Sequence, residues 1–338
     1  MLGTPEIFGV DIGQYAIKIA RVKSSGKGFT ATQLGYEIIP DDVRANKDKS
    51  TLAKIVVTAI KKHKMAKGQP VIHINAGDTI LRRLELDPGL RGMDLEGAVE
   101  LELSDSLPFP LDQVYIDYDE KADASGKRLV VAGRRDLIDP RVDLLSGLGK
   151  SYAAPEVDVD AFAFARTLSS LGLVSEAAPV MLVDIGYARS RFYVYRGAEL
   201  IYNREQQVGG NHVNEIIRDV FDIDAAQAEM RKLTQSFGNE YHDLVLLPYV
   251  NMFAEQMNLA LDFYEANNTD SYDIQRIYLT GGGAAMKDFP AMLREHVGKS
   301  PELLNFSSNI KGRQHDADVS VATGLHHALA VGLAMEGK

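Results

Sequence analysis

The stretch IFGVDIGQYAIKIARV, Ile7 to Val22, decides how the rest of the chain is read. One apolar run carries Val10-Asp11-Ile12 into Gly13, and a second, Ile17 to Val22, leaves it. This is a strand, a tight turn and a returning strand, with an acid and a glycine at the bend. Gly13 can take backbone angles closed to other residues and lets a ligand approach the main chain. The turn's N–H groups can form an anion-binding concavity, while Asp11 can hold a hydrated Mg²⁺. Taken alone, the segment is equally an ordinary hairpin in a buried sheet.

The pattern recurs. Val180 to Tyr195, VMLVDIGYARSRFYVY, repeats Asp-Ile-Gly at Asp184-Ile185-Gly186 and again continues into a second strand. Fixed self-similarity argues for two related half-molecules, each offering one such turn to a shared cleft. A third glycine site, Tyr278-Leu279-Thr280-Gly281-Gly282-Gly283, follows the expected strand Arg276–Leu279 and precedes a helix expected over Met286–Val297. Three consecutive glycines there can bring backbone close to a flat base and its phosphates.

These three sites in this order resemble the actin/FtsA superfamily of nucleotide-binding proteins. Within it the chain resembles the type IV pilus assembly protein PilM family. That closer likeness rests on Leu107-Pro108-Phe109-Pro110-Leu111-Asp112 downstream of Glu102, and on Ala228-Glu229 with Lys232. Val157-Asp158-Val159-Asp160-Ala161-Phe162-Ala163 and Val321-Ala322-Thr323-Gly324-Leu325 add to it. The resemblance implies an α/β fold of duplicated actin-like (ribonuclease-H-like) domains with an inserted subdomain. It also implies ATP or ADP with Mg²⁺ in the cleft, and as partner the cytoplasmic N-terminal tail of a PilN-like inner-membrane protein. That tail would sit between the first core and the insert; other pilus assembly components and self-association remain open. A filament former like MreB and a small-molecule kinase are the alternatives within the superfamily. The kinase needs a substrate pocket with a catalytic Asp, and none stands out.

Length and composition agree with this class. A chain of 338 residues suits two domains, each able to bury a core. The absence of Cys excludes a disulfide framework and any thiolate metal site. A net charge of −10 argues against nucleic-acid binding through phosphate neutralisation. No signal peptide and no apolar run of membrane-spanning length is evident, so the expectation is a cytoplasmic protein brought to the inner membrane through a partner.

The remaining pattern sets the expected organisation. Residues 1–80 form a first core, completed by 153–178 and a C-terminal helix over 318–338. In it, Ser50 caps a helix whose Lys54, Lys61 and Lys62 face solvent. Residues 81–152 read as an inserted β-α-β-β-α-β unit, its last strand near Tyr152–Val157. Residues 179–317 form the second core, with a small subdomain at about 211–272. Its hairpin is followed by Gly209-Gly210 and a helix start.

Several residues carry two readings. Asp11 and Asp184 fit Mg²⁺–phosphate work, though Asp also caps turns. Glu229 and Lys232, three apart on one helical face, can reach a ribose and base or form a surface pair. Asp160 falls where the resemblance implies a water-orienting acid, and can equally cap the following helix. Glu102 shares a stripe with Leu95, Ala98 and Val99; a carboxylate there is a polar anchor beside a peptide groove or a buried partner of Arg82 or Arg83. His326-His327 reads as a helix surface feature.

Two departures from the superfamily pattern matter. Gln14, Tyr15 and Ala16 follow Gly13, and Tyr187, Ala188 and Arg189 follow Gly186, where hydroxyls are usual. Phosphate donors are then backbone N–H groups, Gln14, Lys18 and Arg189, the last facing either a γ-phosphate or solvent. With Asp160 one methylene shorter than a Glu, the expectation is nucleotide binding with at most slow ATPase activity.

Overall fold

The computed structural model describes residues 6–25, 28–65, 67–234, 238, 240–267, 273–311 and 317–336. Its first half starts with β1 (Ile7–Ile12), which buries Phe8 and Val10 in one core and turns Gly9 and Asp11 to the opposite face. β2 (Ala16–Ser25) returns antiparallel to β1, and β3 (Gly28–Ile38) antiparallel to β2. After α1 (Asp41–Asn46) comes α2 (Lys49–Lys62), which buries Val56, Ala59 and Ile60 against Phe8, Val10 and Ile17. Its cap is Asp48, not Ser50: the Asp48 carboxylate accepts from Thr51 N at 3.0 Å. Lys54, Lys61 and Lys62 are exposed, as their phase requires. β4 (Gln69–Ile74) then runs parallel to β1.

Then come β5 (Thr79–Glu85), α3 (Gly92–Ser104), β6 (Val114–Tyr118), β7 (Lys127–Arg134) and α4 (Arg135–Asp143), whose Ile138 and Val142 pack on the main cores and not within the expected insert. Its sheet is antiparallel in the order β5-β7-β6, with a small core of Leu86, Leu95, Val99, Leu103 and Val130. The sixth element expected from sequence is not part of it. Tyr152 makes only an isolated bridge to Gly68, and β8 (Glu156–Val159) pairs parallel with β4. The physical reason is continuity: β8 runs directly into α5 (Asp160–Ser170), which packs on the first half. The first sheet is therefore β3-β2-β1-β4-β8.

Glu102 also differs from expectation. The buried stripe of α3 is Leu95, Val99 and Leu103, and at 100° per residue Glu102 lies about 60° from its centre. Its side chain is exposed and makes no ion pair among the described residues. Arg83 instead pairs with Asp123 (2.7 Å) and Glu199 (2.9 Å).

The second half repeats the first. β9 (Val180–Ile185), β10 (Ser190–Arg196) and β11 (Glu199–Gln206) form the antiparallel run. α6 (Gly210–Phe221), α7 (Ala225–Thr234) and α8 (Leu247–Asn267) come next. β12 (Arg276–Thr280) is parallel to β9, and α9 (Phe289–His296) leads to β13 (Pro301–Leu303). The order β11-β10-β9-β12-β13 reproduces that of the first sheet, strand for strand.

α10 (Ala317–Leu333) crosses β1 and α5 so closely that no side chain fits between them. A Cβ on Gly9 would lie 2.0 Å from the Ala330 oxygen, and one on Gly332 would lie 1.9 Å from the Ala163 oxygen. The two halves are also tied through α5. The Tyr195 hydroxyl donates to the Ala161 carbonyl (2.8 Å) and the Tyr193 hydroxyl to the Asp160 carboxylate (2.7 Å).

Candidate functional site

Both Asp-Ile-Gly turns close in the same way. Gly13 N donates to Ala16 O at 3.1 Å, and Gly186 N to Arg189 O at 2.9 Å. The hairpin register then sets a cation directly across from each acid. Asp11 faces Lys18 on β2, and Asp184 faces Arg191 on β10. Lys18 Nζ is 3.0 Å from the Asp11 carboxylate, and Arg191 is 3.7 Å from that of Asp184. The rows continue outward to Tyr36 beside Lys18 and Glu205 beside Arg191. The acid and cation of both rows, with Tyr36, line one cavity of about 930 Å³ between the halves.

Charge in this cleft is balanced tightly. Burial pushes the Asp11 carboxyl up, but Lys18 and His73, whose Nε2 is 3.3 Å away, hold it below the usual carboxylate range. Burial likewise pulls Lys18 down, and Asp11, with a contribution from Asp184, raises it above its ordinary value. Asp184 goes the other way: burial raises it, Arg191 opposes, and the negative charge of Asp11 adds to the rise. The two acids thus repel across the cleft, the situation a divalent cation relieves.

The other sequence-selected residues divide sharply. Gln14, Tyr15, Tyr187 and Arg189 line the cavity with Gly13, Gly186 and Gly210. Arg189 pairs with Glu205 at 2.7 Å at the cleft edge. Gly209 sits against the second turn, where a Cβ would meet Tyr187 O at 2.6 Å, and Gly210 N donates to Gly186 O at 2.9 Å. Gly281 adopts φ +84°, closed to most side chains, beside the Asp184 carboxylate. Gly281, Gly282 and Gly283 all line the cavity, but a short 3₁₀ turn over Gly282–Ala285 follows them and α9 starts only at Phe289. Glu229 and Lys232 form more than a surface pair: Lys232 Nζ is 2.9 Å from Glu229 and donates to Gly210 O at 3.2 Å. Asn214 also donates to Glu229. Burial lowers Lys232 from its ordinary value, against the opposing pull of Glu229.

Asp160 is not on the cleft surface. It is buried, with one oxygen accepting from Ala76 N (2.8 Å) and the other from Tyr193. Nor does it cap α5 through its side chain, since it is the helix's first residue. His326 and His327 are not a surface feature either. His327 is buried between the carbonyls of Thr323 (2.7 Å) and Gly35 (2.9 Å). His326 lines the cleft, stacked on Tyr36 with ring centroids 5.2 Å apart.

Several cleft residues carried no local sequence signal: His73, Asn75, Arg141 and the Tyr36–His326 stack. Arg191 did carry one. It stands seven residues after Asp184 as Lys18 does after Asp11, so the repeat itself points to it. Over the two turns, the rings of Tyr15 and Tyr187 stack at 5.4 Å, and the Arg44 guanidinium lies 4.8 and 5.0 Å from their centroids.

The residues suit an anionic ligand with a hydrated divalent cation. His73 Nδ1 and Asn75 Oδ1 are buried without hydrogen-bond partners, and a Cβ on Gly282 would meet only His326, in ordinary contact at 3.6 Å. No group of three or more metal-ligating side chains occurs among the described residues. That fits a cation held mainly by waters and phosphate oxygens, with one or two carboxylates.

A family model described as type IV pilus assembly protein PilM matches residues 9–338. The chain belongs to that family. Among solved structures, it is similar to a PilM–PilN type IV pilus biogenesis complex, at 22% identity and TM-score 0.78 over 98% of both chains. It is also similar to ethanolamine utilization protein EutJ from Carboxydothermus hydrogenoformans (17% identity, TM-score 0.55, 98% of this chain and 89% of that one). A third is MreB5 of Spiroplasma citri bound to AMPPNP (11%, 0.54, 98% and 95%). The PilM-family chain thus has the duplicated actin-like α/β fold expected from its repeated turns.

Proposed function

We propose that this PilM-family protein is a nucleotide-responsive adaptor in type IV pilus assembly. Its cleft takes ATP or ADP with Mg²⁺, and its partner is the cytoplasmic tail of a PilN-like inner-membrane protein. The observation that carries the nucleotide reading is the pair of matching acid–cation rows facing each other across one cavity. Asp11 and Asp184 orient the waters of the cation, which when bound neutralises phosphate charge. Gln14, Lys18 and the backbone N–H groups of both turns face the phosphates. Glu229 and Lys232 reach the ribose and base, with Gly281 to Gly283 against the adenine.

Turnover is slow in this reading. Asp160 is buried off the cleft lining, with its oxygens accepting from Ala76 and Tyr193, so among the described residues no acid stands on the cleft surface at that place to orient a water. The nucleotide therefore acts as a ligand that sets partner affinity.

The partner reading is supported by family membership and by the solved relative that is a PilM–PilN complex. The insert offers the surface: Met93 and Leu101 are strongly exposed on α3, beside the exposed Glu102. No helix among the described residues is long and apolar enough to cross a membrane. The protein would meet the inner membrane through the tail it binds.

Calorimetric titration with ATP and ADP in the presence and absence of Mg²⁺ tests the cleft. Native protein should bind both, and Asp11→Asn and Asp184→Asn should each weaken the Mg²⁺-linked part by about 10-fold or more. Absence of any adenine-nucleotide binding to native protein would leave a scaffold only.

A further inference from the structure

We infer that Arg141, a side chain of α4 between β7 and β8, contacts the terminal phosphate, distinguishes a nucleoside triphosphate from a diphosphate and carries that difference into the insert. This rests on the nucleotide reading above. Arg141 is the seventh residue of α4, half-buried, and its side chain opens into the cleft.

Its neighbours place it at the phosphate end. The charges that act on it are those of Asp78, Arg191, Asp160 and Asp11. At the other end, the charges acting on Lys232 are those of Glu229 and Arg44. Arg141 thus lines the cleft on the side of Asp11, Asp78 and Arg191, where the phosphate end of a nucleotide would lie.

It is also unlike the cations around it. Lys18, Arg189, Arg191 and Lys232 each have a carboxylate within 3.0, 2.7, 3.1 and 2.9 Å respectively. Arg141 makes no hydrogen bond or ion pair among the described residues. The acid that acts on it most, Asp78, is already bonded by Asn75 at 2.9 Å. A half-buried guanidinium beside Arg191 without a carboxylate partner is free to take an anion, and its planar fork matches a phosphoryl group. An ADP leaves that position empty; an ATP fills it.

The same helix reaches the insert's outer elements from its first turn. The Arg135 Nε donates to Val114 O on β6 (3.1 Å), and its guanidinium lies 4.0 Å from the Tyr115 ring centroid. The Tyr115 hydroxyl donates to Asp139 at 3.0 Å. Arg134, at the head of α4, lies over Phe109 of the Leu107–Asp112 segment, 4.7 Å from its centroid. A pull on Arg141 is thus a pull on the helix that holds β6 and Phe109, and linkage makes the effect reciprocal.

The test uses the full chain and titrates Mg²⁺–ATP and Mg²⁺–ADP into native protein, Arg141→Met and Arg141→Lys. Arg141→Met should lose about 10- to 100-fold in ATP affinity, the worth of a charge-assisted hydrogen bond, and stay within about two-fold for ADP. Arg141→Lys, a point charge without the fork, should fall between. Amide exchange over residues 107–118 and 135–143 should be slower with ATP than with ADP in native protein, and the difference should vanish in Arg141→Met. Equal losses for both nucleotides, or none, overturn the role of Arg141 while the nucleotide reading stands. Native protein that binds neither nucleotide overturns both. If Arg141→Met does not fold, an unchanged ATP-to-ADP ratio in Arg141→Lys overturns the inference.

Discussion

Removing the Asp160 carboxylate should destabilise the join between the halves far more than it changes chemistry in the cleft. Asp160 is 1% exposed and accepts two hydrogen bonds from opposite sides. Ala76 N, in the turn two residues past the first sheet's β4, is 2.8 Å from one oxygen; the hydroxyl of Tyr193, on β10 of the second sheet, is 2.7 Å from the other. Asp160→Ala leaves both donors buried and unpartnered, at about 1–3 kcal/mol each. Relief of the buried charge offsets part of that, because Arg191 is still 3.9 Å away and keeps Asp184 and Glu205 as partners. The net loss should be about 2–5 kcal/mol, large against the stability of a typical domain. Tyr193→Phe removes one of the two bonds and should cost about 1–2 kcal/mol. In a double-mutant cycle the pair should couple by about 1–3 kcal/mol. Urea unfolding of the four proteins, followed by circular dichroism with the slope checked for constancy, measures this. A loss below about 0.5 kcal/mol for Asp160→Ala, or additivity of the pair, refutes the tie between the halves. If stability is also untouched while single-turnover hydrolysis collapses, Asp160 orients water after all.

The aromatic stack over the turns should act as a nucleotide-independent clasp between the halves. Tyr15→Ala removes a ring pair and one face of the Arg44 contact, together about 1–2 kcal/mol. A fluorescent ATP analogue should then enter and leave faster in stopped-flow mixing, whereas Tyr15→Phe, which keeps the ring and loses only the hydroxyl's interaction with Glu229, should change the rates less; unchanged rates in Tyr15→Ala would deny the clasp. His326 should make the protein sensitive to mild acid. Burial, with the charges of His327 and Lys18, lowers it from 6.5 to about 4. The unfolded chain therefore takes up a proton that the folded chain refuses between those values, so stability is full above pH 6.5 and falls as pH drops toward 4. The whole effect is on the order of 3 kcal/mol, and His326→Phe, which keeps a ring on Tyr36, should flatten thermal stability across that window.

The fold was legible where the signal was local and repeated. The two Asp-Ile-Gly hairpins, read alone, called for two like halves, and the sheets share one strand order because the same hairpin starts each. What misled was local pattern without a partner. The segment Glu156–Val159 has the valines of a strand but nothing in it says which sheet takes it; pairing with β4, over eighty residues earlier, decides. Glu102 falls seven residues after Leu95, which counts as the same face, yet the stripe drifts toward Val99 and Leu103 and leaves Glu102 outside it.

The site follows the same division, and its most instructive residue is Arg191. Antiparallel register is fixed once the turn length is fixed, so whatever faces Asp11 in the first hairpin has a counterpart facing Asp184 in the second. Lys18 at the seventh place predicts a cation at residue 191, and the repeat supplies one. His73 and Arg141 are not marked by the hairpin repeat, because they stand on β4 and α4, elements that long connections bring to the cleft. A cleft between duplicated domains is thus half readable: what the repeat builds appears twice in the sequence, and what lies outside the repeat is visible only once the chain is folded. Arg141 belongs to the second kind: it stands on α4, which joins the sheet β5-β7-β6 to β8 and packs on the main cores. The sheet β5-β7-β6 is what the second half lacks, so a response special to this chain should run through it, and α4, packed on both β7 and β4, links it to the cleft.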